Sequence, residues 1–183
     1  SIFEDEEARK GFYLQLRVNG LMSKGMRIKD MDHSLFQLQE NSDITNPLNT
    51  GIKLMEYNWY LDNMDFESAR VCIKSFVPYF SYVLPLYTYE INCERIFLEL
   101  IGECNKDFID RLYDKQLEKY IKASKYMMNK TRLLMAYEAF YNEDKAKTLM
   151  YYQDLKNLYF NYPIKGEADM ELMIADWVKS KIE

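Results

Sequence analysis

The stretch LMEYNWYLDNMDFESARVCIKSF, residues 54–76, holds two amphipathic segments on either side of a polar turn. Leu54, Tyr57, Leu61 and Met64 recur at helical spacing in the first segment, and Phe66, Ala69, Ile73 and Phe76 do so in the second. Asp62-Asn63-Met64-Asp65 breaks the period with turn formers. The stretch therefore predicts a helical hairpin. Ala69 sits one turn after the aromatic Phe66, where a larger side chain would push the two helix axes apart, so its small size suits a close crossing. Extending this unit along the chain predicts an all-α fold of stacked antiparallel helical hairpins.

Composition agrees with that class. The 183 residues are 48% hydrophobic and 29% charged with only 6 Gly and 4 Pro, too apolar for a disordered chain and too poor in breakers for a loop-rich β fold. The aromatic set is dominated by 16 Tyr, which supply buried area and hydroxyls alike. A formal charge of -5, with bases scattered among acids, argues against a nucleic-acid footprint. Cys72, Cys93 and Cys104 show no CxxC spacing, which fits reduced thiols in a cytoplasmic setting better than a disulfide framework or a zinc site. No apolar run reaches the roughly 18 residues of a membrane span, and the N-terminal residues lack the pattern of a signal peptide. The most apolar stretch, Phe76 to Leu86, carries Pro78 and Pro85 and reads as a buried turn leading into a helix. The chain starts at Ser1 without an initiator Met, which suggests a piece of a longer protein.

Read in order, residues 1–50 form a lead helix and an irregular connector, and residues 51–183 form the hairpin domain. The lead helix should run from Asp5 to about Gly25 with Ala8, Phe12, Leu16 and Val18 inward. Met26 to Pro47 should be irregular, with one helical turn near Ser34 to Leu38. After the hairpin, a long helix should begin at Pro85 and close near Gly102 to Asn105, and Asp107 should cap the next. Ala123 to Tyr141 reads as a further long helix or a continuation of the last, Ala146 to Tyr162 as another, and Glu167 to Ile182 as a capping helix for the stack.

Catalytic chemistry finds little support in the residues. His33 is the only histidine, so neither a triad nor a multi-histidine metal site can be assembled, and His33 reads as a loop residue at the surface. Asp30, Asp32 and His33 share one loop without a fourth group to fix a geometry. Glu90 and Glu94, like Glu99 and Glu103, stand one helical turn apart, which suits either a carboxylate metal site or a solvated face with Arg95 as partner; the second is the simpler reading. Phosphate-loop, GxSxG and HExxH patterns are absent. No catalytic residue, metal or cofactor is assigned.

An internal echo supports repetition. Tyr60 and Ala69 are nine residues apart across a polar turn, and so are Tyr137 and Ala146. An aromatic on one helix and a small residue on the next resembles the tetratricopeptide repeat, although Tyr57 and Met64 stand where that family has small residues and Arg111 lies near an expected Ala. The resemblance implies an α-α superhelix whose concave surface takes a protein or peptide. In the register set by Ala69 and Ala146, Asn58, Asp62, Thr131 and Glu138 would face that surface. A second resemblance lies in Glu7-Ala8-Arg9-Lys10-Gly11-Phe12-Tyr13-Leu14-Gln15-Leu16 and Gly25-Met26-Arg27-Ile28-Lys29-Asp30-Met31. These are similar to the segment after the membrane portion of bacterial site-2-protease-like zinc metallopeptidases. That implies a non-catalytic accessory domain at the cytosolic face of a membrane, tethered by an upstream part rather than inserted itself. The alternatives are the peptide-sensing domain of a transcription regulator and a free-standing scaffold or dimerisation domain.

Overall fold

A computed structural model describes residues 2–183, with side chains from Asp5 onward, and is all-helical: among the described residues there are nine α-helices and no strand. The chain divides into two compact units, Ser1–Thr88 with Ile164–Glu167, and Tyr89–Pro163 with Ala168–Glu183. The lead helix and connector thus belong to the same unit as the first hairpin.

In the first unit, α1 (Ile2–Ser23) is followed by the connector, α2 (Pro47–Asp62) and α3 (Phe66–Lys74). Asn46 caps α2 by accepting the Leu48 N–H, and Pro47 occupies the first turn, where its missing N–H costs nothing. Asp65 caps α3 in the same way through the Ser68 N–H. Tyr57 and Leu61 of α2 and Ala69, Cys72 and Ile73 of α3 are buried together with Phe76, so the small residue at 69 lies on the packed face of the hairpin. The connector is irregular with short helical turns at Ile28–Asp30 and His33–Phe36. Ile28, Met31 and Phe36 anchor it by burial.

The inward face of α1 differs from the expected one. Gly11, Val18 and Met22 are buried, whereas Phe12 and Leu16 are 52% and 54% exposed. Gly11 lets α2 approach, since a Cβ there would stand 3.2 Å from the Ile52 side chain. The Phe76–Leu86 stretch also departs from expectation: Phe76 and Val83 are buried, but Val77, Tyr79, Tyr82, Leu84 and Leu86 are exposed around a short helical turn, Val77–Tyr82. Pro78 and Pro85 hold this segment out of regular helix, so its side chains fan outward instead of forming one inward stripe.

In the second unit the expected long helices are shorter and more broken. α4 runs from Pro85 to Ile101, and then α5 (Lys106–Leu112) and α6 (Lys115–Ala123) replace a single predicted helix. Asn105, not Asp107, caps α5, and Asp114 starts a new helix by accepting the Leu117 N–H at 2.8 Å. Ser124 to Met127 breaks the next predicted helix, so α7 spans Met128–Ala136 and passes into a π-helical turn, Tyr137–Tyr141. α8 (Lys145–Tyr159) and α9 (Lys165–Ile182) complete the chain.

A backbone repeat underlies these helices. Five described residues have positive φ; Asn41, at 67°, lies in the connector, and the other four, Gly25, Met64, Cys104 and Glu143, at 107°, 56°, 51° and 51°, lie 39, 40 and 39 residues apart. Each follows the end of a helical segment. After the last three comes a capping side chain, Asp65, Asn105 or Asp144, that accepts a backbone N–H from the helix it opens. This repeat corrects the register of the echo. Thr148 is the counterpart of Ala69, four residues after its cap and fully buried, while Ala146 is exposed.

Candidate functional site

Each unit carries a surface cavity. In the second unit, α6 buries Leu117 and Ile121 and carries Glu118 and Lys122, paired at 2.9 Å, to the rim of a cavity that Lys125 also lines. At the end of α7 the π turn adds a residue to one helical turn, a feature frequent at functional sites because it re-aims the side chains it carries. Here it carries Tyr137 and Glu138 to the edge of the same cavity, of about 380 Å³, which Tyr113, Tyr151, Ile121 and Leu134 also line.

Tyr113, Tyr137 and Tyr141 form a row of rings of which the first two line the cavity. The Tyr113 and Tyr137 rings are 5.2 Å apart, and Tyr137 stacks on Tyr141 at 4.6 Å. The Tyr141 hydroxyl donates to Asp110 at 2.7 Å, and the Lys106 ammonium caps the Tyr141 ring at 4.7 Å. Burial, reinforced by Glu118, pushes the Tyr113 hydroxyl up to about 12. Burial likewise raises Tyr137 and Tyr151, with Asp110 and Glu138 respectively adding to it. All three are therefore neutral hydroxyl donors at physiological pH. Tyrosine rings, Leu134 and Ile121 stand beside four charged side chains, Glu118, Lys122, Lys125 and Glu138, which makes a mixed polar and aromatic site in the size range of known ligand pockets.

In the first unit, Lys53, Glu56, Tyr60, Val71, Cys72 and Ser75 line a cavity of about 370 Å³. Glu56 is its hub. Its carboxylate accepts from Lys53 at 2.7 Å, lies 3.1 Å from His33 Nε2 and 3.6 Å from the Cys72 thiol. Burial works against the Lys53 ammonium, but Glu56 outweighs it and its pKa is raised overall. Burial pushes Cys72 up to about 12, so the thiol stays protonated and is no nucleophile. His33 is half-buried, not a free surface residue: it stacks on Trp59 at 4.4 Å and meets the edge of Tyr60. Trp59 in turn donates to the Met31 carbonyl at 3.0 Å, which straps the connector onto α2.

The four residues expected on one binding surface have separate fates. Asp62 is buried and taken up by Arg27, whose Nε donates to both carboxylate oxygens at 3.0 and 3.2 Å, and by the Lys29 N–H at 3.1 Å. Thr131 is buried too, and its hydroxyl donates to the Lys125 carbonyl at 3.5 Å. Asn58 is half-buried on α2. Glu138 lines the tyrosine cavity and accepts from Asn142 at 3.1 Å. Asp62 and Thr131 are withdrawn from solvent because helix positions near a hairpin turn face the neighbouring chain, not an open groove.

Glu90 and Glu94 do not form a solvated face. Lys130 donates to both Glu90 oxygens at 2.7 Å, and Arg132 binds Glu94 and Glu171 with its whole guanidinium. Tyr120 also donates to Glu90. Two cations two residues apart on α7 thus neutralise carboxylates one turn apart on α4, a juxtaposition between segments about forty residues apart in sequence. Among the described residues no group of three or more His, Cys, Asp or Glu side chains is placed to hold a metal ion, and no helix is long and apolar enough to cross a membrane.

Comparison with known proteins adds no relative: no family model, no curated protein and no solved structure matches this chain. The tyrosine cavity was not legible in the sequence, because Tyr113, Tyr137 and Tyr151 come from three separate helical segments. The density of Tyr in the composition was its only signal.

Proposed function

We propose that this chain is a non-catalytic helical-repeat module that binds a protein or peptide, with the tyrosine cavity as its recognition site. The observation that carries this reading is the π turn that brings Tyr137 and Glu138 to a cavity walled by Tyr113 and Tyr151. An aromatic or long aliphatic side chain of the ligand would fill the cavity against the rings, and the hydroxyls and Glu138 would bond its backbone or a neighbouring polar group. The repeated left-handed turns support a stack of helical hairpins, and their spacing of 39–40 residues is longer than the 34 of the tetratricopeptide repeat. On this reading the fold is tetratricopeptide-like in its hairpins and distinct in its period. The similarity of residues 7–31 to metallopeptidase tails supports a role as the accessory domain of a membrane protease, acting at its cytosolic face to position a substrate.

Selection from a phage-displayed random peptide library, followed by fluorescence anisotropy of the enriched peptides, tests the reading. Tyr137→Ala should weaken binding by about tenfold or more, as truncation of an aromatic hot spot does. Glu138→Ala should weaken it less, and neither change should remove helical signal. Enriched peptides that bind both variants as well as the parent would move the site elsewhere, to the region of Asn58 for instance. Failure of any peptide to enrich would sink the peptide-binding reading.

A further inference from the structure

Ion pairing accounts for the buried carboxylates of the chain and leaves one acid at the tyrosine cavity over. Among the described residues each buried carboxylate has a cation: Glu56 has Lys53, Asp62 has Arg27, and Glu94 and Glu171 share Arg132. At the cavity Glu118 is paired with Lys122. Glu138 is half-buried and lines the same cavity, yet among the described residues its carboxylate meets no cation, only the neutral side-chain amide of Asn142 at 3.1 Å. Its charge reaches the rings around it. After burial, Glu138 is the largest cause that raises the Tyr151 hydroxyl, and burial, Asp110 and then Glu138 raise Tyr137.

The rings follow the same pattern. Lys or Arg heads lie over Phe97, Phe108, Tyr120, Tyr141, Tyr152 and Trp177. Among the described residues none lies over Tyr113, Tyr137 or Tyr151, although Tyr137 is next in the row to Tyr141, which Lys106 caps at 4.7 Å. Three ring faces, negative through their quadrupoles, therefore stand beside a carboxylate that no cation neutralises, and both kinds of group attract positive charge. Lys125 opposes a cation from the rim, but it is exposed, where water and salt screen it.

A guanidinium fits this set better than an ammonium. It is planar and weakly hydrated, it stacks on aromatic faces, and it offers paired N–H donors to the two oxygens of a carboxylate. Tyrosine hydroxyl oxygens can accept the donors that remain. The chain builds the same arrangement inside itself: Arg132 lies 4.3 Å over the Phe97 ring while its Nη1 and Nη2 donate to Glu94 at 2.8 and 3.0 Å. We infer, on the reading of the tyrosine cavity as the recognition site, that it takes an arginine side chain of the protein or peptide ligand, the guanidinium bound by Glu138 and stacked on the tyrosine rings. Arginine is then the long aliphatic side chain that fills the cavity, with its stem along Leu134 and Ile121.

NMR titration of the isotopically labelled 183-residue chain with the capped peptide acetyl-Gly-Arg-Gly-amide tests the assignment. Saturable shifts should centre on the amides of Tyr113, Tyr137, Glu138 and Tyr151. The citrulline counterpart, alike in shape and without the charge, should bind about fivefold or more weakly, and the lysine counterpart should also bind less well than arginine. Glu138→Gln should weaken the arginine peptide about fivefold and leave the citrulline peptide unchanged, a split that damage to the fold would not produce. Lys125→Glu should tighten the arginine peptide. Equal affinity for arginine and citrulline, equal affinity for arginine and lysine, or indifference to Glu138→Gln would overturn the arginine assignment. If acetyl-Gly-Tyr-Gly-amide shifts the cavity amides and the arginine peptide does not, arginine falls and the cavity stands as the recognition site. Arginine-peptide shifts centred away from these residues would overturn both.

Discussion

Arg132 shows how much can hang on one side chain. It is 1% exposed, its Nε and Nη2 reach Glu171 at 2.7 and 3.1 Å, its Nη1 and Nη2 reach Glu94 at 2.8 and 3.0 Å, and it lies 4.3 Å over the Phe97 ring. Burial opposes the charge, yet Glu171 and then Glu94 outweigh it and raise its pKa well above the usual guanidinium range. The arrangement is stable only as a set, because each ion has lost its hydration and has only its partners in exchange. Arg132→Met should therefore cost about 3–5 kcal/mol, most of it the penalty of two stranded carboxylates and not the worth of the pairs themselves. Adding Glu94→Gln and Glu171→Gln should recover a large part. Urea unfolding of the single and triple variants separates the two causes: if the triple is no more stable than Arg132→Met, the carboxylates are not what the guanidinium compensates. The spacing of Glu90 and Glu94 was legible in the sequence, but their cations were not. Sequence period reports which residues share a face, and says nothing of a partner on a helix 38 residues away.

Helices and their ends were legible to different degrees. Some helix ends could be read, so α1 stops just before Gly25 as expected, at Ser23. The turns that organise the repeat could not, because the residues with left-handed φ at three of its four turns are Met64, Cys104 and Glu143, which no turn rule selects. The same blindness merged α5 with α6 across Tyr113-Asp114, and it placed Ala146 two residues short of Thr148, the position four residues after the Asp144 cap. A left-handed residue with a Cβ pays a steric cost that glycine does not. Met64→Gly and Glu143→Gly should each stabilise the chain by about 0.5–1 kcal/mol, since the gain at φ near 50° outweighs the extra freedom of glycine in the unfolded state. In contrast, Asp65→Ala and Asp144→Ala, which remove the caps one residue later, should each cost about 1 kcal/mol. Denaturant midpoints of the four variants check both signs at once. A destabilising Met64→Gly would mean that the Met side chain contributes packing larger than the backbone strain it carries.

At the scale of the whole molecule, buried acids of weak strength set an alkaline limit to stability. Cys72 in the first unit and Cys93 in the second are pushed from 9.0 up to about 12 by burial foremost, and Tyr113 moves from 10.0 to about 12 for the same reason. Folded, these groups keep their protons; unfolded, they release them at ordinary values. Above pH 9 the unfolded chain thus binds fewer protons than the folded one, and stability must fall as pH rises. Below pH 9 both states are protonated and these three groups contribute no slope. The acid side has the opposite sign. The Ser68 hydroxyl and N–H lower the Asp65 pKa from 3.8, so its contribution is complete above that value and is lost as pH falls through the folded pKa. Calorimetric scans should accordingly find the Tm flat through neutrality and dropping between pH 9 and 12. Cys72→Ala with Cys93→Ala should lower the Tm at every pH by enlarging cavities, yet flatten the slope between pH 9 and 10, where unfolded thiols ionise ahead of unfolded tyrosine. A slope in that interval unchanged by the double substitution would show that the thiols are not what holds protons in the folded chain. The same burial makes a kinetic statement: at pH 8 iodoacetamide should label Cys104, which is only half-buried, well before Cys72 or Cys93, in the order that thiolate access dictates.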